Sequence, residues 1–184
     1  MDFKTFTKIP RLSRECIITE KIDGTNGVIG IDENGALWAG SRNRWLIGPD
    51  YINGDNMGFG VWAYAHKDEL MKLGPGLHYG EWWGLGIQRG YGLKEKRFSL
   101  FNVSRWGDPE IRPACCGVVP ILYQGAFDTR EIEDVLYQLS KEGSHAAPGF
   151  MNPEGVVIYH VAGGFMFKKT LDGDGGKWKE PENG

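Results

Sequence analysis

The chain has 184 residues, of which 41% are hydrophobic and 24% charged, with a net charge of −3, a composition typical of one well-packed domain. Its apolar runs are too short for a membrane-spanning helix, and its N-terminus lacks the basic start and apolar middle of a secretory signal. The negative charge argues against strong non-specific binding to nucleic acid, while three cysteines, two of them adjacent, favour a reducing, cytoplasmic location over a disulfide framework.

The first part of the chain has the pattern of short strands joined by tight turns. Residues 16–21 predict a strand, and residues 27–31 and 36–39 predict two more. An Asn-Gly pair lies between the second and third, which favours a hairpin. Apolar residues then recur at helical spacing over residues 59–73, where a Gly-Pro pair ends the predicted helix.

The second half of the chain contains the clearest helix signal. Asp128 is in the position of an N-cap, Glu131 follows as in a capping box, and an apolar stripe continues to Leu139 before Gly143. Strands are predicted before and after this helix at residues 77–83, 98–103, 118–122, 156–160 and 165–169. The elements do not alternate regularly, so the sequence predicts an α+β fold with mostly antiparallel sheet.

Lys21 is the first candidate for chemistry, because it ends a strand that reads as buried and precedes an Asp-Gly turn. A lysine amine must lose a proton before it can attack phosphorus, and partial burial with nearby cations or a bound metal favours the neutral form. The alternative interpretation is a surface lysine before a β-turn, and the Lys-x-Asp-Gly pattern alone favours that alternative. Further motifs along the chain favour the interpretation of Lys21 as a nucleophile.

Six short motifs occur in a fixed order, starting with Lys21-Ile22-Asp23-Gly24 and continuing at residues 40–44, 78–84, 97–103, 153–157 and 166–169. Together they resemble the covalent nucleotidyltransferase superfamily of ATP-dependent ligases and mRNA-capping enzymes, over nearly the whole chain. The chain is most similar to the RNA ligase 2-like branch, especially the small phage-type RNA ligases. Asn26 stands where DNA ligases and capping enzymes usually have arginine, which favours RNA over DNA as the substrate.

The resemblance implies a nucleotidyltransferase fold, an ATP-grasp-like ligase adenylation domain with mostly antiparallel sheets around an ATP cleft. We expect this domain to occupy residues 1–172 and to be followed by a flexible tail at residues 173–184. Few residues follow the last motif, so neither an OB-type domain nor another C-terminal domain is expected. Since such a domain often grips the polynucleotide, a protein partner could supply that grip.

The resemblance also implies roles for individual residues. Lys21 is the nucleophile, Arg42 lies near the ribose and the 5′-phosphate end, and Glu81 accepts hydrogen bonds from the ribose hydroxyls. Glu154 helps to bind Mg²⁺ (or Mn²⁺), for which a carboxylate oxygen is a suitable hard ligand. Lys168 holds the α-phosphate as a second catalytic residue.

The purine is expected to stack on an aromatic ring, for which a π-face is the natural platform. Phe101 is assigned to this role, with Phe98 as the alternative. The two lie three residues apart on one predicted strand and should therefore face opposite ways. The remaining predicted ATP-binding residues are Glu20, Ile22, Asn26, Val156 and Lys169, although Lys169 should point away from Lys168.

The function implied is an ATP-dependent RNA ligase. Lys21 takes AMP from ATP as a lysyl-AMP intermediate, AMP moves to a 5′-phosphate end, and a 3′-hydroxyl attacks that end to seal the strand. The alternatives left open are a DNA-nick ligase, another polynucleotide adenylyltransferase such as a GTP-using capping enzyme, and a non-catalytic nucleotide-binding module.

One glycine-rich segment lies outside these motifs. Gly84, Gly86 and Gly90 approximate a dinucleotide-binding loop, but the third glycine comes one residue too late and no βαβ pattern follows. We therefore predict a mobile loop beside the ATP site.

Overall fold

A computed structural model describes residues 2–173 and contains two β-sheets and four short to medium helices in that range. The strands are β1 Glu15–Lys21, β2 Thr25–Ile31, β3 Leu37–Ser41, β4 Trp45–Gly48, β5 Tyr51–Ile52, β6 Gly76–Gly84, β7 Lys96–Leu100, β8 Cys116–Val118, β9 Ile121–Ala126, β10 Gly155–His160 and β11 Phe165–Thr170. The helices are α1 Phe59–Ala65, α2 Lys67–Leu70, α3 Val103–Trp106 and α4 Thr129–Glu142, and a 3-10 turn follows α2 at Met71–Leu73. Residues 174–184 of the predicted tail lie outside the described residues.

The larger sheet has the strand order β5-β4-β3-β2-β6-β7-β8 and is antiparallel except between β7 and β8. One of its faces packs against α1, α2 and the 3-10 turn. There Phe59, Trp62, Trp82 and Phe98 form an aromatic cluster with ring centroids 5.0–5.8 Å apart. Side chains alternate along each strand, so Asn26, Glu81 and Ser99 lie on the opposite face of β2, β6 and β7, where the sequence predicts the ATP cleft.

The smaller sheet has the order β11-β10-β1-β9 and is wholly antiparallel. Helix α4 covers one of its faces and packs its apolar stripe against β1 and β10. This core consists of Cys16, Ile18, Ile132, Leu136, Leu139, Val156 and Ile158. As the sequence predicts, Asp128 caps α4 by accepting a hydrogen bond from the Arg130 backbone N–H at 2.9 Å, and the helix ends at Gly143 with φ of 83°.

A third apolar cluster joins the two sheets. Ile22 follows β1, Trp83 lies near the end of β6, and both pack against Tyr91, Val119 and Ala147. This cluster brings the end of β1 next to the end of β6, which places the predicted lysine motif close to the predicted Gly-Glu motif.

The α+β class with mostly antiparallel sheets is confirmed, but several predicted elements have other bounds. The strand predicted at residues 98–103 ends at Leu100, because Asn102 caps the short helix α3 through its side chain. The strand predicted at 118–122 is two strands, β8 and β9, with Pro120 between them. The helix predicted at 59–73 breaks at His66.

In the described range, no helix is both long enough and apolar enough to cross a membrane.

Candidate active site

Lys21 and Glu154 form the centre of the candidate site. Lys21 is the last residue of β1 and pairs in register with Gly155, the first residue of β10. Its Nζ donates a hydrogen bond to Glu154 Oε2 at 2.6 Å, and the two side chains are only 23% and 17% exposed. The predicted nucleophile is therefore held in a partly buried ion pair and does not project freely into solvent.

Glu81 lies on β6 opposite Asn26 of β2, and the Asn26 side-chain amide donates to Glu81 Oε2 at 3.1 Å. Burial of the Glu81 side chain raises the pKa of its carboxyl from 4.5 to about 7, although the nearby positive charge of Lys21 acts in the opposite direction. A carboxylate with free acceptor capacity thus lies close to the lysine amine, as a ribose-binding group requires.

Replacing Glu81 by glutamine is expected to stabilise the ligand-free protein at alkaline pH. Between pH 4.5 and about 7 the unfolded chain releases the Glu81 proton while the folded protein retains it, so stability falls as pH rises through this window. The loss reaches about 3 kcal/mol, at ~1.4 kcal/mol per pKa unit, and Glu81→Gln removes it.

Chemical denaturation at pH 4.5 and pH 8 measures this difference. The variant and the wild-type protein should have similar free energies of unfolding at the lower pH and diverge at the higher one. Glu110→Gln, at an exposed position, is the control and should show no such divergence. Equal stability of Glu81→Gln and wild-type protein at both pH values contradicts the assignment of a raised pKa.

The two aromatic candidates lie on opposite sides of the larger sheet. Phe98 pairs with Trp82 and is fully buried in the aromatic cluster. Ser99 pairs with Glu81, and Phe101 extends the same face, with its backbone N–H bonded to the Tyr79 carbonyl. Phe101 is 40% exposed, so it alone of the two is placed to stack on a base beside Glu81.

The two lysines of the last motif also lie on opposite faces. Lys168 pairs with Val157, which pairs with Thr19, so Lys168 shares the face of β1 that carries Lys21. Lys169 points to the other face, where it forms an ion pair with Glu133 of α4. Lys169 therefore lies on the face opposite Lys21, so its binding of ATP stays a prediction, and Lys168 is the lysine of this motif on the Lys21 face.

The side chains of two more predicted ATP-binding residues also face away from Lys21. Val156 is fully buried beneath α4, and its neighbour Val157 is the residue on the Lys21 face. The Glu20 carboxylate also points away from the cleft and accepts three hydrogen bonds, at 2.6–2.8 Å, from the Ser144 hydroxyl and from the backbone N–H groups of residues 145 and 146. Neither side chain is available to a ligand in the cleft, and Glu20 instead ties the loop after α4 to β1.

The structure places the Ile22 side chain in the core and Arg42 on the surface. The Ile22 side chain is 4% exposed and packs in the cluster that joins the sheets, which leaves only its backbone for a ligand. Arg42 is exposed in the turn after β3, next to Ser41, which pairs with Gly27 beside Asn26. It forms no ion pair with any residue in the described range. Its long side chain starts one residue beyond the Ser41–Gly27 pair, at the rim of the site.

The structure also places two residues at the site that the sequence analysis missed. The Tyr91 hydroxyl accepts a hydrogen bond from the Asp23 backbone N–H at 2.7 Å, and Arg89 forms an ion pair with the Asp23 carboxylate at 3.1 Å. Arg89 belongs to the glycine-rich segment predicted as a mobile loop, and Tyr91 directly follows that segment; both are hydrogen-bonded to Asp23 of the lysine motif. The clustered glycines of the segment were the available signal, since they indicate an unusual backbone path.

The donor set at this site suits a hard divalent cation. Within residues 2–173, no three His, Cys, Asp or Glu side chains are grouped as a complete metal cage. Mg²⁺ does not require one, because it is commonly bound by one or two carboxylates, by phosphate oxygens and by water. Glu154, partly exposed beside Lys21, fits the role of such a carboxylate.

Comparison with known proteins identifies a family and several similar solved structures. A family model described as RNA ligase matches residues 14–170. A variant of Naegleria gruberi RNA ligase solved with AMP and Mn is 19% identical, with a TM-score of 0.66 over 88% of this chain. The same ligase with pyrophosphate gives 19% identity and a TM-score of 0.62 over 87% of this chain, and a variant with ATP and Mn gives 18% and 0.60 over 87%.

This chain spans 50–51% of the length of those solved ligase chains. At this level of identity the structural likeness shows the shared fold. No curated protein sequence matches the chain.

Proposed function

The chain belongs to the RNA ligase family, and from this premise we propose that it is an ATP-dependent RNA ligase that carries AMP on Lys21. The observation that supports this most directly is the partly buried Lys21–Glu154 pair, with 2.6 Å between Nζ and Oε2. Glu81 and Phe101 on one sheet, and Lys168 on the other, provide the groups that an adenosine nucleotide needs.

In the first step, the Lys21 ammonium gives up a proton to solvent, and its neutral Nζ attacks the α-phosphorus of ATP. An N–P bond forms, the bond between the α- and β-phosphates breaks, pyrophosphate leaves, and the amine releases a second proton. Glu81 accepts hydrogen bonds from the ribose hydroxyls, and Phe101 stacks on the purine. Lys168 donates to the α-phosphate oxygens and stabilises the negative charge that develops there. Glu154 would hold Mg²⁺ or Mn²⁺, which when bound would further neutralise phosphate charge.

In the later steps AMP passes from Lys21 to a 5′-phosphate end of RNA, and a 3′-hydroxyl then displaces it. Arg42 is suited to the 5′-phosphate, because a guanidinium fork matches phosphate oxygens and the turn that carries it is exposed at the rim. With a net charge of −3, the chain has a weak general attraction for polynucleotides, so a protein partner that increases the grip on RNA fits this proposal.

End joining on a panel of substrates tests this function. Wild-type protein is incubated with ATP, GTP or NAD, Mg²⁺ or Mn²⁺, and 5′-phosphorylated nicked duplexes whose ends are RNA or DNA. We expect ATP-dependent sealing of RNA ends and weaker sealing of DNA ends. Preferential sealing of DNA supports the DNA-nick ligase alternative, and ATP binding without pyrophosphate release supports a non-catalytic module.

The last motif provides a matched pair of variants. Lys168→Ala is expected to slow lysyl-AMP formation on the order of 10²-fold, because it removes a cation directed at the developing phosphate charge. Lys169→Ala should stay close to the wild-type rate, since this lysine pairs with Glu133 on the opposite face. Single-turnover adenylation with labelled ATP measures both, and the reverse order of effects contradicts the placement of the two lysines.

A further inference from the structure

The loop between β6 and β7, residues 85–95, has an unusual backbone. Gly86, Gly90 and Gly92 have φ of 64–70°, and two non-glycine residues, Gln88 and Tyr91, also have positive φ, at 46° and 52°. Left-handed conformations are unfavourable for residues with a side chain and persist only where surrounding contacts impose them. Such strain points to a specific role for the residues that the loop presents.

Arg89 is the residue on which this loop converges. Its side chain is 18% exposed and donates hydrogen bonds to three separate segments. Its Nε donates to the Asp23 carboxylate at 3.1 Å, and one terminal nitrogen donates to the Asp172 carboxylate at 2.6 Å. The other terminal nitrogen donates to the Asn152 side chain at 2.9 Å and to the Asn152 and Pro153 carbonyls at 3.2 and 3.4 Å. One guanidinium therefore connects parts of the chain up to 149 positions apart, from position 23 to position 172.

These three segments flank the candidate catalytic residues. Asp23 comes two residues after Lys21, Asn152 and Pro153 directly precede Glu154, and Asp172 follows the strand that carries Lys168. The β1–β10 ladder ends at the Lys21–Gly155 pair, so the Glu154 side chain lies beyond its last rung. The Glu154 carbonyl accepts a hydrogen bond from the Leu171 backbone N–H at 2.9 Å, and Arg89 holds the two residues before Glu154.

Tyr91 supports the same turn from the same loop. Its hydroxyl accepts the Asp23 backbone N–H, while Arg89 binds the Asp23 carboxylate. The Tyr91 ring packs against Trp83 and Phe150, with centroids 5.0 and 4.7 Å away. The loop thus holds the backbone N–H and the carboxylate of Asp23, two residues after the nucleophile.

We propose that Arg89 is a positioning residue for AMP transfer, which holds the turn after Lys21 and the segment before Glu154 in the relation that aligns the lysine amine with the α-phosphorus. This inference rests on the proposed function. Arginine suits the role because its planar, permanently charged fork can bond three partners in fixed directions, whereas a lysine ammonium lacks this directional geometry. Arg89 itself does not contact Lys21 and acts through its neighbours.

The test compares Arg89→Ala and Arg89→Lys with the wild-type protein and with Arg130→Ala, which removes an ion pair at the exposed start of α4. Three quantities are measured on each: the single-turnover rate of lysyl-AMP formation at saturating ATP, the ATP affinity, and the thermal unfolding midpoint. We expect Arg89→Ala to slow the rate on the order of 10²-fold while ATP affinity changes about threefold or less. Arg89→Lys should be intermediate, and Arg130→Ala should retain the wild-type rate.

A folded Arg89→Ala protein that forms lysyl-AMP at the wild-type rate overturns the inference. So does an equal loss of rate and ATP affinity, which marks a ligand-binding residue. If Arg89→Ala does not fold, Arg89→Lys and Asp23→Asn decide by the same measurements: a rate loss at retained affinity supports positioning, and an unchanged rate overturns it. Wild-type protein that forms no lysyl-AMP overturns the proposed function as well, which separates that failure from a failure of Arg89 alone.

Discussion

Replacement of Lys21 by alanine is expected to abolish covalent AMP transfer while the fold is retained. The side chain ends β1, and the ladder between β1 and β10 is formed by backbone groups that alanine preserves. Loss of the amine removes the group that we propose bonds with phosphorus, so no labelled adduct should form. Transfer of label from α-labelled ATP to the protein measures the effect.

Lys141→Ala is the matched control, because this lysine lies on α4 near Tyr137 and away from the cleft. It should accept label as wild-type protein does. Thermal unfolding of Lys21→Ala should show a cooperative transition, which separates loss of chemistry from loss of fold. Undiminished labelling of the folded Lys21→Ala protein refutes the assignment of the nucleophile.

Replacement of Glu154 by glutamine is expected to reduce lysyl-AMP formation by at least about 10²-fold, because the substitution removes the charge of the carboxylate that we propose holds the divalent cation. Glutamine retains the size of the side chain and can still accept a hydrogen bond from Lys21, so the local packing should survive. The dependence of the rate on Mg²⁺ or Mn²⁺ concentration should shift to higher metal, with partial recovery at high concentration.

Glu133→Gln provides the comparison, since Glu133 also pairs with a lysine but on the opposite face of the same sheet. Its metal dependence should match that of the wild-type protein. A Glu154→Gln protein with an unchanged rate and an unchanged metal dependence contradicts the metal-binding role. A rate loss without any change in metal dependence points instead to a role confined to holding Lys21.

Local sequence signals predicted the elements that depend on local chemistry. The Asn-Gly turn between β2 and β3, the Asp128 cap of α4 and the end of that helix at Gly143 all follow from residues within a few positions of one another. The break between β8 and β9 was missed although Pro120 signals it, because the run of β-prone residues continues on both sides.

The predicted site residues whose side chains face away from Lys21 have one feature in common, which is the alternation of side chains along strands. A motif gives the order of residues, but whether Val156 or Val157 faces the cleft depends on where the β10 ladder starts, and a shift of one residue reverses every side chain. The same alternation separates Lys168 from Lys169 and turns Glu20 away from Lys21. Only the register between strands decides these cases.

Arg89 and Tyr91 escaped the sequence analysis for a different reason. Their partners Asp23, Asn152 and Asp172 are distant in sequence, and each contact depends on the path of a loop with several left-handed residues. A glycine-rich composition indicates such a path but also fits a mobile loop. The contacts themselves distinguish the two.

Peptide mapping of the AMP-modified protein tests the central claim most directly. Wild-type protein is incubated with ATP and Mg²⁺, digested, and its peptides are fragmented in a mass spectrometer under conditions that preserve an acid-labile N–P bond. One AMP on Nζ of the lysine in Thr19-Glu20-Lys21-Ile22 is the predicted result. AMP found on another lysine, or protein that releases pyrophosphate from ATP without forming any covalent adduct, contradicts it.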